Sequence, residues 1–190
     1  MTLDPNAAAF LSALRPFPVA VTTVHDGHAN GLMSLSAGSA SIVPEAPRAT
    51  ISITKYNFSH DLIADSGLFT IHLLSGEAED LDASLEILKA LGGSSGRDGN
   101  KLAQLESRTG VTGAPILTRA LAYVECRVVR SLDCDENTLF LGDVVGAEQL
   151  RKGQRLDIGQ AWSKLPPKWI EQYDKNHEPQ LADARKCRGL

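Results

Sequence analysis

One stretch, residues 31–59, constrains the possible folds of this chain more than any other. Its first part, residues 33–41, consists mostly of small and hydroxyl side chains, with Gly38 among them. Small side chains let a ligand approach the backbone closely, and hydroxyls beside bare peptide N–H groups offer donors to phosphate or carbonyl oxygens. We therefore interpret residues 33–41 as a segment that binds a ligand against the main chain.

A rigid corner and a strand follow this binding segment. Pro44 and Pro47 fix the corner, because proline locks its own φ and restricts the residue before it. Polar and apolar residues then alternate over residues 48–54, which predicts a half-buried β-strand. The binding segment is therefore expected to lead through a tight turn into a sheet.

The start of a helix comes next. Residues 60–65 show helical spacing, and Ser59 is predicted to cap this helix. With Lys55 and Asn57 just upstream, the helix start predicts an anion pocket, because the N–H groups of a first turn are unpaired and lie at the positive end of the helix dipole. The alternative is that Ser59 only caps the helix and that Lys55 is solvated.

The rest of the sequence predicts mainly β-structure with flanking helices. An Asp26-Gly27 pair indicates a hairpin turn, and helical spacing over residues 79–91 predicts a helix that ends at Gly92 and Gly93. Residues 102–109 are predicted to form a short helix. Further strands are predicted at residues 19–24, 67–74, 117–129 and 138–145. Because an open antiparallel sheet would leave unpaired edges, we expect a six- or seven-stranded Greek-key barrel.

The order of these pieces resembles the flavin reductase-like family, whose members bind FMN or FAD on a split β-barrel. The resemblance runs from about residue 17 to residue 145. It implies a single flavin reductase-like domain over residues 1–190, and the C-terminal tail from about residue 176 is expected to be loose. The residues that carry it are, in order, Gly31, residues 33–36, Ser39, Ala40, Ser41, Pro44, Pro47, Ser59, residues 66–74, residues 113–117 and residues 138–145.

The resemblance also implies which residues contact the flavin. Those expected along its ring are Met33, Ser34, Leu35, Ser36, Ser39, Ala40 and Ser41, and those expected at its phosphate are Lys55, Asn57 and Ser59. In the family, a lysine in the loop after the second helix also reaches the phosphate. Lys101 stands at that place here, with Arg97 as a second candidate. The alternative is an exposed loop with ordinary charges.

The mechanism implied by the resemblance is hydride transfer from NADH or NADPH to the flavin N5, with FMN or FAD as the flavin. The cofactors carry this chemistry, so no catalytic side chain is required. The resemblance further implies a homodimer, and a separate oxygenase is one acceptor for the reduced flavin.

Two features depart from the family pattern. Many members have a histidine where this chain has Asn137, and that histidine is associated with the nicotinamide side of the site. The C-terminal tail also differs, and it carries Trp162, Trp169 and Tyr173. These rings either cover a flavin, pack against a partner subunit or pack a C-terminal helix. The departures keep open a second hypothesis, a flavin-binding protein that is an electron carrier or ligand-binding module without reductase turnover.

Composition narrows the partners and the compartment. A net charge of −4 over 190 residues argues against nucleic acid, because phosphate backbones need clustered Lys and Arg. We find neither a secretion signal nor an apolar run of about 18 residues, so no membrane is expected. His25 and His28 lack the further ligands that a metal site requires. Three cysteines, an odd number without CxxC spacing, fit a reducing cytoplasm.

Overall fold

The computed structural model of the chain describes residues 10–11, 13–14 and 17–190. Seven strands form one antiparallel sheet in the order β2-β1-β5-β8-β9-β4-β3, and β6 pairs with β7 in a separate two-stranded sheet. The strands are β1 Val19–His25, β2 His28–Ser34, β3 Gly38–Ser39, β4 Arg48–Thr54, β5 Leu68–Leu73, β6 Ser107–Thr109, β7 Pro115–Leu117, β8 Ala122–Cys134 and β9 Asn137–Gln149.

The large sheet is curled into a half-barrel, so the predicted mainly-β, split-barrel fold is confirmed. Its two end strands, β2 and β3, are joined along the chain by Leu35, Ser36 and Ala37 alone. Within residues 17–190 no hydrogen-bonded ladder connects β2 to β3, so the barrel is split rather than closed. The predicted helix over residues 102–109 is wrong, because residues 101–105 form turns and a bend and residues 107–109 form β6, which pairs with β7.

Four helices flank the sheet within the described ranges: α1 Phe58–Ser66, α2 Leu81–Gly92, α3 Ile158–Lys164 and α4 Pro167–Cys187. The predicted cap of α1 is wrong. Asn57 is the capping residue, and its side-chain oxygen accepts from the Ser59 N–H at 3.1 Å, which places Ser59 inside the first turn. Among the described helices, none combines the length and the apolar character needed to cross a membrane.

Two hydrophobic clusters lie on opposite faces of the sheet, because successive strand residues point to opposite faces. Val19 and Val21 of β1 pack into one cluster with Phe69, whereas Ala20 between them packs into the other with Leu88 of α2. Cys126 lies in the first cluster, and burial raises the pKa of its thiol to about 12. It is therefore a core residue rather than a nucleophile.

His72 of β5 is a fully buried polar residue on the α2 face of the sheet. Its Nδ1 lies 3.3 Å from the Ala20 carbonyl oxygen, and the Leu117 N–H donates to its Nε2 at 3.0 Å. The ring thus joins β5, β1 and β7 as a neutral imidazole that donates through Nδ1 and accepts through Nε2. Burial lowers the pKa of His72 from 6.5 to about 4.

This shift predicts a pH dependence of stability. The folded protein keeps His72 neutral, whereas the unfolded chain takes up a proton as the pH falls. The contribution of His72 to the free energy of unfolding is therefore complete above about pH 6.5 and is lost as the pH falls towards 4. The loss should be about 3 kcal/mol of unfolding free energy. Urea unfolding at pH 7 and pH 4 should show this loss in the wild type and a smaller one in His72→Gln. The exposed His28→Gln should follow the wild type. Parallel curves for all three proteins would contradict the assignment.

Candidate functional site

A cavity of about 470 Å³ lies outside the sheet, where the end of β2, the start of α1, the loop after α2 and α4 meet. Its size is typical of sites for small molecules and cofactors. The lining mixes apolar side chains with a glycine-rich backbone and a few polar groups. The lining residues used below are Leu32, Met33, Asn57, Phe58, Leu91, Gly92, Gly93, Lys101, Tyr173, Asn176 and His177.

Lys101 lines this cavity together with two other charged residues, Asp98 and Lys175. No ion pair among residues 17–190 includes the Lys101 ammonium, and burial lowers its pKa to about 8. The neighbouring Leu102 is 7% exposed and packs in the hydrophobic cluster that contains Ala20 and Leu88, called the α2 cluster below. The backbone therefore holds Lys101 close to the core. A desolvated cation that forms no ion pair favours an anion in the cavity beside it.

Arg97, the second cation predicted from this loop, has another role. Its guanidinium donates to Asp61 Oδ2 at 2.7 Å and to the Tyr56 carbonyl oxygen at 3.1 Å. It also lies over the Phe58 ring, 5.3 Å from the ring centre. Arg97 is therefore outside the cavity lining and holds the loop against α1.

The three phosphate residues predicted near α1 are separated by the structure. Asn57 lines the cavity. Ser59 is fully buried and accepts from Asn30 Nδ2 at 2.9 Å, and the Asn30 amide in turn lies directly beneath Gly96 of the loop. Lys55 points to the β8–β9 turn, where its Nζ lies 2.6 Å from Asp133 Oδ1. Asn57 is thus placed for direct contact, and Ser59 supports the floor of the loop.

The predicted binding segment, residues 33–41, is described in full by the structure, and Met33 is its only residue in the lining of this cavity. The hydroxyls of Ser34 and Ser36 lie 3.0 Å apart, and Ser36 Oγ donates to the Ser52 carbonyl oxygen on β4 at 2.6 Å. These two hydroxyls are therefore used inside the protein, and Leu35 between them is half-buried.

The remaining residues of the segment lie at the edge of the sheet. Ser39 pairs with Ala49, and the Ala40 N–H donates to the Arg48 carbonyl oxygen at 2.8 Å. Ser41 Oγ accepts from the Val43 N–H at 3.1 Å and so stabilises the turn that follows. Their contact with a flavin stays a prediction.

Sequence reasoning left the position of α4 open, and this helix forms one wall of the cavity. Trp169 stacks on Tyr173 with ring centres 5.2 Å apart, and Tyr173 lies against His177 at 4.1 Å. Asn176 Nδ2 donates to the Gly93 carbonyl oxygen at 2.9 Å. The aromatic residues at i, i+4 and i+8 are the sequence signal for this stripe, since such residues share one helix face.

Gly92 and Gly93 provide the place where α4 docks. A Cβ at Gly92 would lie 3.1 Å from Cζ2 of Trp169, and one at Gly93 would lie 3.0 Å from its Nε1. The indole N–H also reaches the Lys89 carbonyl oxygen at 3.4 Å. The two glycines therefore end α2, as predicted, and also leave room for the Trp169 ring.

The chemistry of this arrangement is recognition rather than covalent attack. The Lys101 ammonium and the Asn57 amide line the cavity together with apolar side chains such as Leu32, Met33 and Leu91. Such a site suits a ligand with an anionic group and a flat apolar ring.

Comparisons with known proteins agree with this description. A family model described as "Flavin reductase like domain" matches residues 13–158. The chain is 31% identical over 107 residues to a ferric-chelate reductase (NAD(P)H) of Archaeoglobus fulgidus, covering 56% of this chain and 60% of that relative, which is less than two thirds of its length. It is 27% identical over 143 residues to an FMN reductase (NADH) of Agrobacterium fabrum, covering 75% of this chain and 76% of the relative.

A solved structure shows the same fold. An FMN-binding protein from Thermus thermophilus, crystallised with bound p-hydroxybenzaldehyde, superposes with a TM-score of 0.62 at 24% sequence identity. The match covers 70% of this chain and 72% of that one.

The docking of α4 can be tested without a ligand. Trp169→Ala should remove roughly 1–2 kcal/mol of aromatic packing between α4 and α2. Hydrogen exchange should then be about tenfold faster in α4 and unchanged in β1 and β5. Lys168→Ala, at an exposed neighbouring position, is the matched control and should leave exchange in α4 as it is in the wild type. Equal exchange rates for Trp169→Ala and the wild type would contradict the packing described here.

Proposed function

Because the chain belongs to the flavin reductase-like family, we propose that it binds a flavin, FMN or FAD, in the cavity beside Lys101 and reduces it with NADH or NADPH. The observation that carries this proposal is the desolvated Lys101 ammonium in a cavity of about 470 Å³. A flavin phosphate is the kind of anion that such a cation favours.

The residues present fit such a ligand. The cavity volume lies in the range of cofactor sites. Lys101 has no carboxylate partner within residues 17–190, and Asn57 stands at the same site as a second polar group. Apolar side chains beside them provide a wall for a ring system.

The protein supplies position and environment for the reaction. A bound flavin would contribute the hydride-accepting chemistry. Lys101 and Asn57 would hold its phosphate, and Ser59 would support them through Asn30 and the loop. Met33 and Leu91 would keep water from the ring, since α2 and β2 meet behind them. No side chain here is needed as a nucleophile or base.

We also propose a cytoplasmic homodimer. The edge segment that contains Ser39 and Ser41 continues into Ile42 and Val43, whose exposed fractions are 99% and 49%. Exposed apolar side chains beside an edge strand are typical of an interface between chains. In the dimer, this edge would bring the predicted residues Ser39, Ala40 and Ser41 next to the second copy. The three free cysteines support a reducing compartment.

A flavin-binding protein without reductase turnover is the second candidate. The observation that favours it is α4, which lies along the cavity and would narrow the access of a nicotinamide to it. Asn137, which stands in place of the family histidine, also favours this second candidate.

Turnover separates the two candidates. Purified protein with added FMN or FAD should oxidise NADH or NADPH, followed at 340 nm (absorbance of the reduced nicotinamide), if it is a reductase. Flavin binding without nicotinamide oxidation would favour the second candidate. The absence of both flavin binding and turnover would rule out both.

Lys101→Met should weaken FMN binding about ten- to a hundredfold, because a charge-assisted contact is worth roughly 1.5–3 kcal/mol. Riboflavin lacks the phosphate, so its affinity should change much less. Calorimetric titration of both ligands measures the difference. The exposed Lys152→Met is the matched control. An equal loss for FMN and riboflavin would argue against a phosphate contact.

The affinity for FMN should also depend on pH. Free Lys101 loses its proton above about pH 8, whereas the FMN phosphate is already dianionic above its second pKa of about 6. Wild-type affinity should therefore fall as the pH rises from 7.5 to 9.5, and Lys101→Met should show a flat profile over that range. The same slope in both proteins would show that another group controls binding.

A further inference from the structure

We propose that α4 makes the site selective for the flavin mononucleotide over the dinucleotide, an inference that rests on the proposed function. The helix forms one wall of the cavity that Lys101 also lines. A dinucleotide continues beyond the phosphate of the mononucleotide with a second phosphate, a ribose and a purine, so it needs an exit where the mononucleotide needs none.

The first step is the path of α4. Trp169, near its start, packs on Gly92 and Gly93 at the end of α2. Just beyond its last residue, Arg188 Nη1 lies 3.7 Å from Glu136 Oε1 in the β8–β9 turn. Between these two contacts, Tyr173, Asn176 and His177 line the cavity. The helix therefore runs along the opening rather than touching it at one point.

The second step is where the phosphate would sit. Lys101 and Gly93 belong to the same loop, and Asn176 of α4 donates to the Gly93 carbonyl oxygen at 2.9 Å. The loop, the start of α1 at Asn57 and α4 thus line one cavity that includes the Lys101 side chain. A group attached to a phosphate at Lys101 would have to pass this boundary to leave the cavity.

The third step is that packing holds the first half of α4 in place. Leu165, directly before it, is 4% exposed and packs in the α2 cluster with Ala161 of α3. Pro166 and Pro167 then start the helix, and proline restricts the backbone at this junction. The stacked rings of Trp169, Tyr173 and His177 add a continuous packed stripe. A helix held in this way obstructs a longer ligand and so makes its binding free energy less favourable. Obstruction of one ligand is a source of specificity for another.

The test is equilibrium binding of FMN and FAD to the full chain, measured by calorimetry. The wild type should bind FMN at least about tenfold more tightly than FAD. In Trp169→Ala, where hydrogen exchange reports whether α4 is loosened, the ratio of the FAD to the FMN dissociation constant should fall at least about fivefold. His177→Ala, which trims the wall without removing the anchor, should lower the same ratio by a smaller factor.

Glu171→Ala is the matched control, because this residue is exposed on the same helix and does not line the cavity. It should keep the wild-type ratio. Equal affinities for FMN and FAD in the wild type would overturn the inference while leaving the proposed function intact, as would an unchanged ratio in both Trp169→Ala and His177→Ala. If the wild type binds neither flavin, the proposed function itself is wrong.

Discussion

The short link between β2 and β3 is the constraint on which the rest of the structure depends. From Ser34 to Gly38 there are four steps along the chain, so these residues can be at most ~15 Å apart. In a flat seven-stranded sheet, the two end strands would be separated by six spacings, ~29 Å. The sheet must therefore curl. Ser36 fixes the curl, because its hydroxyl donates to the Ser52 carbonyl oxygen of β4 at 2.6 Å and contacts the Ser34 hydroxyl.

The curl determines where a ligand site can form. It encloses the cluster around Val21 and Phe69 inside the half-barrel, where their apolar side chains pack together. The outer face at β2 is covered by α2, and the approach is close at Gly31, where a Cβ would lie 2.9 Å from Cδ2 of Leu91. The end of α2 is thereby held beside the end of β2, and the cavity forms where these two ends meet the loop and α4.

The sequence was sufficient for the long strands of the large sheet and for the proline corner, because each has a local signal, either alternation or a fixed φ. It could not separate Lys101 from Arg97, since the partner that occupies Arg97 is Asp61, which lies 36 positions away. Ser34 and Ser36 were predicted to donate to a ligand because a sequence does not show which hydroxyls already have hydrogen-bond partners within the protein. Their internal partners are set by the curl. Likewise, Gly92 and Gly93 predict the end of a helix, but their contact with Trp169 is made across distant parts of the chain.

The same non-local contacts explain why Lys101 is desolvated without a partner. Arg97 fastens the loop to α1, Asn176 fastens it to α4, and Leu102 is buried in the core next to the lysine. The ammonium is therefore held at the cavity instead of extending into bulk water, and the folded protein carries the cost of its desolvation before any ligand arrives. An anion that enters recovers this free energy without having to order the loop, because the loop is already ordered. The affinity of the site thus depends on contacts made by residues that do not touch the ligand.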